Sequence, residues 1–196
     1  MKIPLNPLKL SSVLAVCLAL TALVADAASP QFERSLECFF CSAFDRSGGA
    51  GTAAPSPHFD RIKSLAGNWI GTNKHGKPVK VTYTLVSSGT AVMEKLDSPE
   101  GGNMVTMYHP DGERLMVTHY CSVGNQPRMM EVPRPGDSDL VFSFFDATNN
   151  PNLPGHGHMR GLKFHFQDKN HFTQEWTFGW SDGRQEVDTL SLHRIA

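Results

Sequence analysis

Long apolar runs, blocks of one charge sign and cysteines are all scarce in this chain. The only sustained apolar stretch, Val13 to Val24, is shorter than the roughly 20 residues a membrane helix needs. Basic and acidic residues number 18 and 19 and are dispersed. The lack of a basic run to neutralise phosphates argues against nucleic acid as a partner, and electrostatic attachment to an anionic membrane is not expected. The chain has 4 cysteines. Cys38 and Cys41 have redox-motif spacing, but no strand precedes them and no thioredoxin-type helix follows, so they read as a local disulfide or two ordinary thiols rather than a redox or zinc centre. Cys121 lies in a strand pattern as a small buried residue. Nucleophile elbows, metal-hydrolase helices and dinucleotide loops are missing, which removes the enzyme classes that carry them.

The first residues have the layout of a secretory signal. Lys2 and Lys9 precede the apolar stretch, and small residues at Ala25 and Ala27 follow it, predicting cleavage after Ala27. Cys17 follows Val16 rather than a small residue, so lipid anchoring is not expected. Cleavage removes two lysines and one aspartate, shifting the net charge from −1 to about −2. The product is expected to be exported, periplasmic or secreted, with no transmembrane segment. Residues 28–57 read as a flexible tether: Leu36, Phe39, Phe40 and Phe44 suit a helical turn or two, and the rest to Pro57 is rich in Gly, Ala, Ser and Pro. The folded domain is assigned to 58–196.

Within it, Phe59, Ile62 and Leu65 recur at helical spacing, predicting a short helix that plugs one end. Val79, Val81, Tyr83 and Leu85 then alternate with Lys80, Thr82 and Thr84, the pattern of a half-buried strand. Further strands are predicted near 91–97, 103–109, 113–122, 128–132, 140–147, 158–167, 171–181 and 185–194. Turn residues such as Pro110-Asp111-Gly112 and Ser181-Asp182-Gly183 separate them. No connection has the helical period of a parallel crossover, so the strands should pair as antiparallel hairpins. With the strand at Trp69 they make about ten, a count that closes an all-β, up-and-down barrel, with a sandwich as the alternative. The longest break, Asn149 to Gly157, is read as a mouth loop or a lid.

The short helix before Gly67-Asn68-Trp69, the run of hairpins and the late Arg194 resemble the calycin group of lipocalins, fatty-acid-binding proteins and nitrobindins. Segments such as Thr118-His119-Tyr120-Cys121 and Thr173-Gln174-Glu175-Trp176-Thr177 are similar to an exported bacterial lipocalin-like family of unknown function. This resemblance implies that Trp69 lies at the barrel base under Arg194. It brings no settled activity. Haem-binding members use a late histidine that His193 matches only loosely, so no cofactor is expected and haem is a minor alternative.

Strand parity predicts what faces inward. Phe142 and Phe144 share a face with Asp146; Leu162, Phe164 and Phe166 with His158 and Arg160; Phe172, Trp176, Phe178 and Trp180 with Gln174. His119 is placed inward with Leu115 and Val117, although Met116 and Tyr120 support the opposite parity. Polar groups on apolar faces suit a mostly apolar pocket. Phe142, Phe164 and Trp176 are expected to line it, with Arg160, Gln174, His119 and His158 as its polar contacts. Arg160 suits an acidic head because its planar fork binds carboxylates. A small apolar or amphiphilic ligand bound by a monomer is the leading expectation. The alternatives are a small isomerase, lyase or hydrolase using His119 and Asp146 as an oriented base, and a packed barrel acting through its surface. His156 and His158 lack a second ligand pair, so no metal site is assigned.

Overall fold

A computed structural model describes residues 56–195 apart from 100, 135, 137 and 152. The predicted signal, almost all of the tether, and Cys38 and Cys41 lie outside the described residues. Helix α1 (Pro57–Ser64) precedes ten strands: β1 (Gly67–Thr72), β2 (Pro78–Val86), β3 (Ala91–Ser98), β4 (Gly102–Asp111), β5 (Arg114–Tyr120), β6 (Gln126–Glu131), β7 (Leu140–Thr148), β8 (Gly157–Phe166), β9 (His171–Trp180) and β10 (Gln185–Ile195). Each strand pairs antiparallel with its sequence neighbour, and β1 pairs with β10 to close the barrel. The all-β, ten-stranded, up-and-down architecture is therefore as the sequence predicts, and it is consistent with a calycin-like fold.

Helix α1 starts where Ser56 accepts the Phe59 amide at 3.2 Å, with Pro57 in the first turn. Its Phe59 and Ile62, with Leu65 just after it, are buried against the barrel base. His58 reaches the buried carboxylate of Glu131, whose other oxygen accepts the Leu115 amide at 3.0 Å. Trp69 is buried at this base and donates its indole N–H to Leu65 O at 2.7 Å. The Arg194 guanidinium lies over the Trp69 ring, 4.3 Å from its centroid, and donates to the carbonyls of Ala66 and Ser64 at 2.7 Å each. One arginine thus caps the helix end and the indole together. Gly67 is required there: it has a φ of +126°, and a Cβ would stand 2.9 Å from Arg194 Nη1.

Strand β2 buries Val79, Val81 and Tyr83 as its alternation predicts, but Leu85 is exposed. Strand β1 stops at Gly67 opposite Tyr83, so Leu85 extends past the β1 edge. Above the base the interior is a column of aromatic rings. Trp69 meets Phe172 edge-on at 4.6 Å, Phe172 stacks with Phe164 at 6.0 Å, and Phe164 meets Tyr108 at 5.9 Å. Phe142 closes this cluster against Tyr108 at 6.4 Å. The lower interior is therefore filled with side chains.

Candidate functional site

The column ends in a polar layer. Tyr83, Glu94, Thr106 and His119 are direct cross-strand neighbours on β2, β3, β4 and β5, and all four are buried. Their shared face follows from register: Val92, Glu94 and Leu96 alternate as buried residues along β3, as Thr106 and Tyr108 do along β4. Glu94 Oε2 accepts from Tyr83 OH at 2.8 Å, Tyr108 OH at 2.5 Å and Gln174 Nε2 at 2.8 Å. Gln174 Oε1 accepts a long bond, 3.4 Å, from the Trp176 indole. Thr106 Oγ1 and His119 Nδ1 are hydrogen-bonded at 2.9 Å, and the His119 ring lies 4.8 Å from Trp176. Within this layer Glu94 Oε1 and His119 Nε2 are buried without a hydrogen-bond partner; elsewhere among the described residues the same holds of Asn125 Oδ1 and His158 Nε2.

Burial sets the charge of this layer. Loss of solvent raises the Glu94 pKa, opposed by the hydrogen bonds from Tyr108, Tyr83 and Gln174. The same cause lowers His119 from 6.5 to about 4, so its imidazole is neutral at neutral pH. The unfolded chain takes up this proton near pH 6.5, whereas the folded chain refuses it until about pH 4. Stability should therefore fall on acidification through that window, by roughly 3 kcal/mol from this group. Glu94 acts in the opposite sense, because a raised carboxyl pKa favours the fold at low pH. Urea denaturation of wild type and His119→Leu across pH 7 to 4 isolates the histidine: the wild type should lose stability more steeply. Equal slopes would show that His119 titrates as a solvated imidazole.

Above the polar layer lies a cavity of about 270 Å³ at the barrel end opposite α1. Leu96, Met104, Met159, Trp176, Phe178 and Leu190 form its apolar wall and floor. Met104 is paired with Leu96 and Thr106 with Glu94, so the cavity and polar layer are successive storeys of the same strands. The rim carries Asp188 and Glu186, with Lys74 bonded to the Glu186 carboxylate and, at 3.1 Å, to Val187 O.

The sequence-predicted site residues do not converge as expected. Trp176 lines the cavity; Gln174 and His119 lie in the storey beneath it. Phe142 and Phe164 belong to the packed column rather than to the cavity wall. Arg160 and His158 are on the outer face. The β8–β9 register shifts between Met159 and Gly161, so Arg160 is the extra residue of a bulge, and Met159 faces inward opposite Phe178 while His158 faces Gly179. Arg160 lies across Gly179, where a Cβ would meet its Cδ at 2.3 Å. His158 rests on Phe144 with ring centroids 4.3 Å apart.

A second bulge, between Arg128 and Met129 in the β6–β7 register, turns Asp146 outward. There it forms a bidentate pair with exposed Arg128. The proposed His119–Asp146 base is thus not assembled: one member is inside the barrel and the other is bonded outside it. His193 is exposed, opposite His171 on the outer face, so the barrel interior does not receive it. The 149–156 connection stands at the mouth end but binds the β9–β10 turn, with Ser181 Oγ donating to Leu153 O at 3.0 Å. Among the described residues, no group of three or more His, Cys, Asp or Glu is placed to hold a metal, and no helix is long and apolar enough to cross a membrane.

Sequence reasoning missed Glu94, Tyr108 and the part Tyr83 plays in the interior. The signal was present in β3, where Glu94 sits between Val92 and Leu96 on the more apolar of two faces. Comparison with protein-family models finds none that matches the chain, and comparison with curated proteins finds no relative. The fold and the interior geometry therefore carry the functional reading.

Proposed function

We propose that the mature chain is an exported, monomeric barrel, periplasmic or secreted, that binds a small and largely apolar ligand in its mouth. The observation that carries this reading is the apolar cavity of about 270 Å³ standing directly above a hydrogen-bonding layer. Such a cavity takes a ring or a short alkyl chain, and the polar layer orients it. Trp176 and Phe178 supply flat contact area, while Met104 and Met159 adapt to ligand shape. The expectation of an acidic head depended on an inward Arg160; with Arg160 outside, the ligand is assigned a polar head and no bond to this arginine. Leader composition supports the export element of the proposal.

Native mass spectrometry of protein taken from its own compartment tests this reading. A small-molecule adduct that is lost on denaturation is the expected result, with Ala28 at the mature terminus and no haem absorption. A haem band would replace the ligand class. The second reading, a packed barrel acting through its surface, is favoured by the aromatic column that fills the lower interior. A mass equal to that of the bare chain, with no binding across a panel of apolar probes, would select it.

A further inference from the structure

We infer that the head recognised by this barrel is a protonated organic amine, held by Glu94 Oε1 and His119 Nε2 beneath the Trp176 indole. The inference rests on the mouth-binding reading and specifies its ligand class. Its basis is the inventory of the polar layer. Glu94 Oε2 is already saturated by Tyr83, Tyr108 and Gln174, whereas Oε1, on a side chain 1 % exposed, has no partner. His119, 2 % exposed, holds Thr106 through Nδ1 and leaves Nε2 open. With Nδ1–H donating to Thr106 Oγ1, Nε2 is an acceptor like Glu94 Oε1, so in that tautomer the layer presents two open acceptors.

Charge selects among the possible heads. Tyr83, Glu94, Thr106, His119 and Gln174 include no lysine or arginine, so a carboxylate or phosphate would stand beside Glu94 uncompensated. An ammonium instead neutralises the buried carboxylate and offers it a charge-assisted hydrogen bond. The Trp176 indole lines the cavity and bonds to the layer at 3.4 Å, beyond the usual N–H···O range, so it is the side chain whose displacement would admit the head.

Phenethylamine, ethylbenzene and phenylacetate share a ring and a short stem and differ at the head, so their titration by calorimetry at neutral pH tests the inference. The amine should bind about ten- to a hundredfold more tightly than the hydrocarbon, the range of one charge-assisted contact, and the acid more weakly than both. Glu94→Gln, its folding checked by a cooperative thermal transition, should lose that preference. Equal binding of amine and hydrocarbon, or a preference that survives in Glu94→Gln, would overturn the inference while leaving mouth binding in place. Absence of ethylbenzene binding would instead count against the mouth reading itself.

If Glu94→Gln does not fold, nuclear Overhauser contacts in the native protein decide. The methylene beside the nitrogen should contact the Tyr83 and Tyr108 rings. Contacts confined to the acidic rim at Asp188 and Glu186 would overturn the assignment.

Discussion

Trp69→Ala is expected to destabilise the barrel by about 3 to 5 kcal/mol, the usual cost of deleting a large buried aromatic. The indole is 1 % exposed, packs edge-on against Phe172, carries the Arg194 guanidinium on its face and donates to Leu65 O. Its removal leaves a cavity where helix, sheet and closing strand meet, and strips Arg194 of its cation-π partner. Urea denaturation measures the loss. A change below about 1 kcal/mol would mean that the base does not close the barrel.

Glu94→Ala should be comparably severe for a different reason. The carboxylate holds Tyr83 OH, Tyr108 OH and Gln174 Nε2, and its deletion leaves buried donors short of an acceptor, at about 1 to 3 kcal/mol for each group left unsatisfied. Gln174 keeps its second bond to Tyr83 OH, so the total should be about 3 to 5 kcal/mol rather than the full sum. Glu94→Gln retains an acceptor and should lose only about 1 to 2 kcal/mol. Thermal unfolding of the two variants reports the difference. Equal midpoints would show that the donors find other partners and that the layer is not a coupled network.

The barrel was legible because its evidence is local. Alternation in Val79 to Tyr83, turn residues between strands and the absence of any crossover helix each constrain a few neighbouring positions, and together they leave little besides antiparallel closure. The helix was equally local in the spacing of Phe59, Ile62 and Leu65, although its cap Ser56 and first residue Pro57 fall in the stretch read as tether.

The site was less legible because it depends on parity carried across bulges. Alternation counted back from Phe164 puts Arg160 and His158 inside; one extra residue at Arg160 puts them outside and brings Met159 in. Gly161 and Gly179 flank that position, and glycine inside a strand is the sequence mark of a bulge or a close approach. Asp146 fails by the same mechanism at Phe145. Strands β3 to β5 pair without a shift, so parity there is reliable, and Glu94, Thr106 and His119 fall in one layer. Neither the bond between Gln174 and Glu94, 80 residues apart, nor the seat of Trp176 above it has a local signature.

The proposed function puts the ligand in the mouth and not on the outer face. Calorimetric titration of ethylbenzene into the native protein, Met104→Lys and Arg160→Met tests it most directly. Met104→Lys puts an ammonium in the apolar wall and should weaken binding at least about tenfold, because burying an unpaired charge costs more than one hydrophobic contact contributes. Arg160→Met should leave affinity within about twofold of wild type, since Arg160 lies over Gly179 outside the barrel. Saturable one-to-one binding that follows Met104 is the predicted result; no saturation by the native protein, or a loss that follows Arg160 instead, would contradict it.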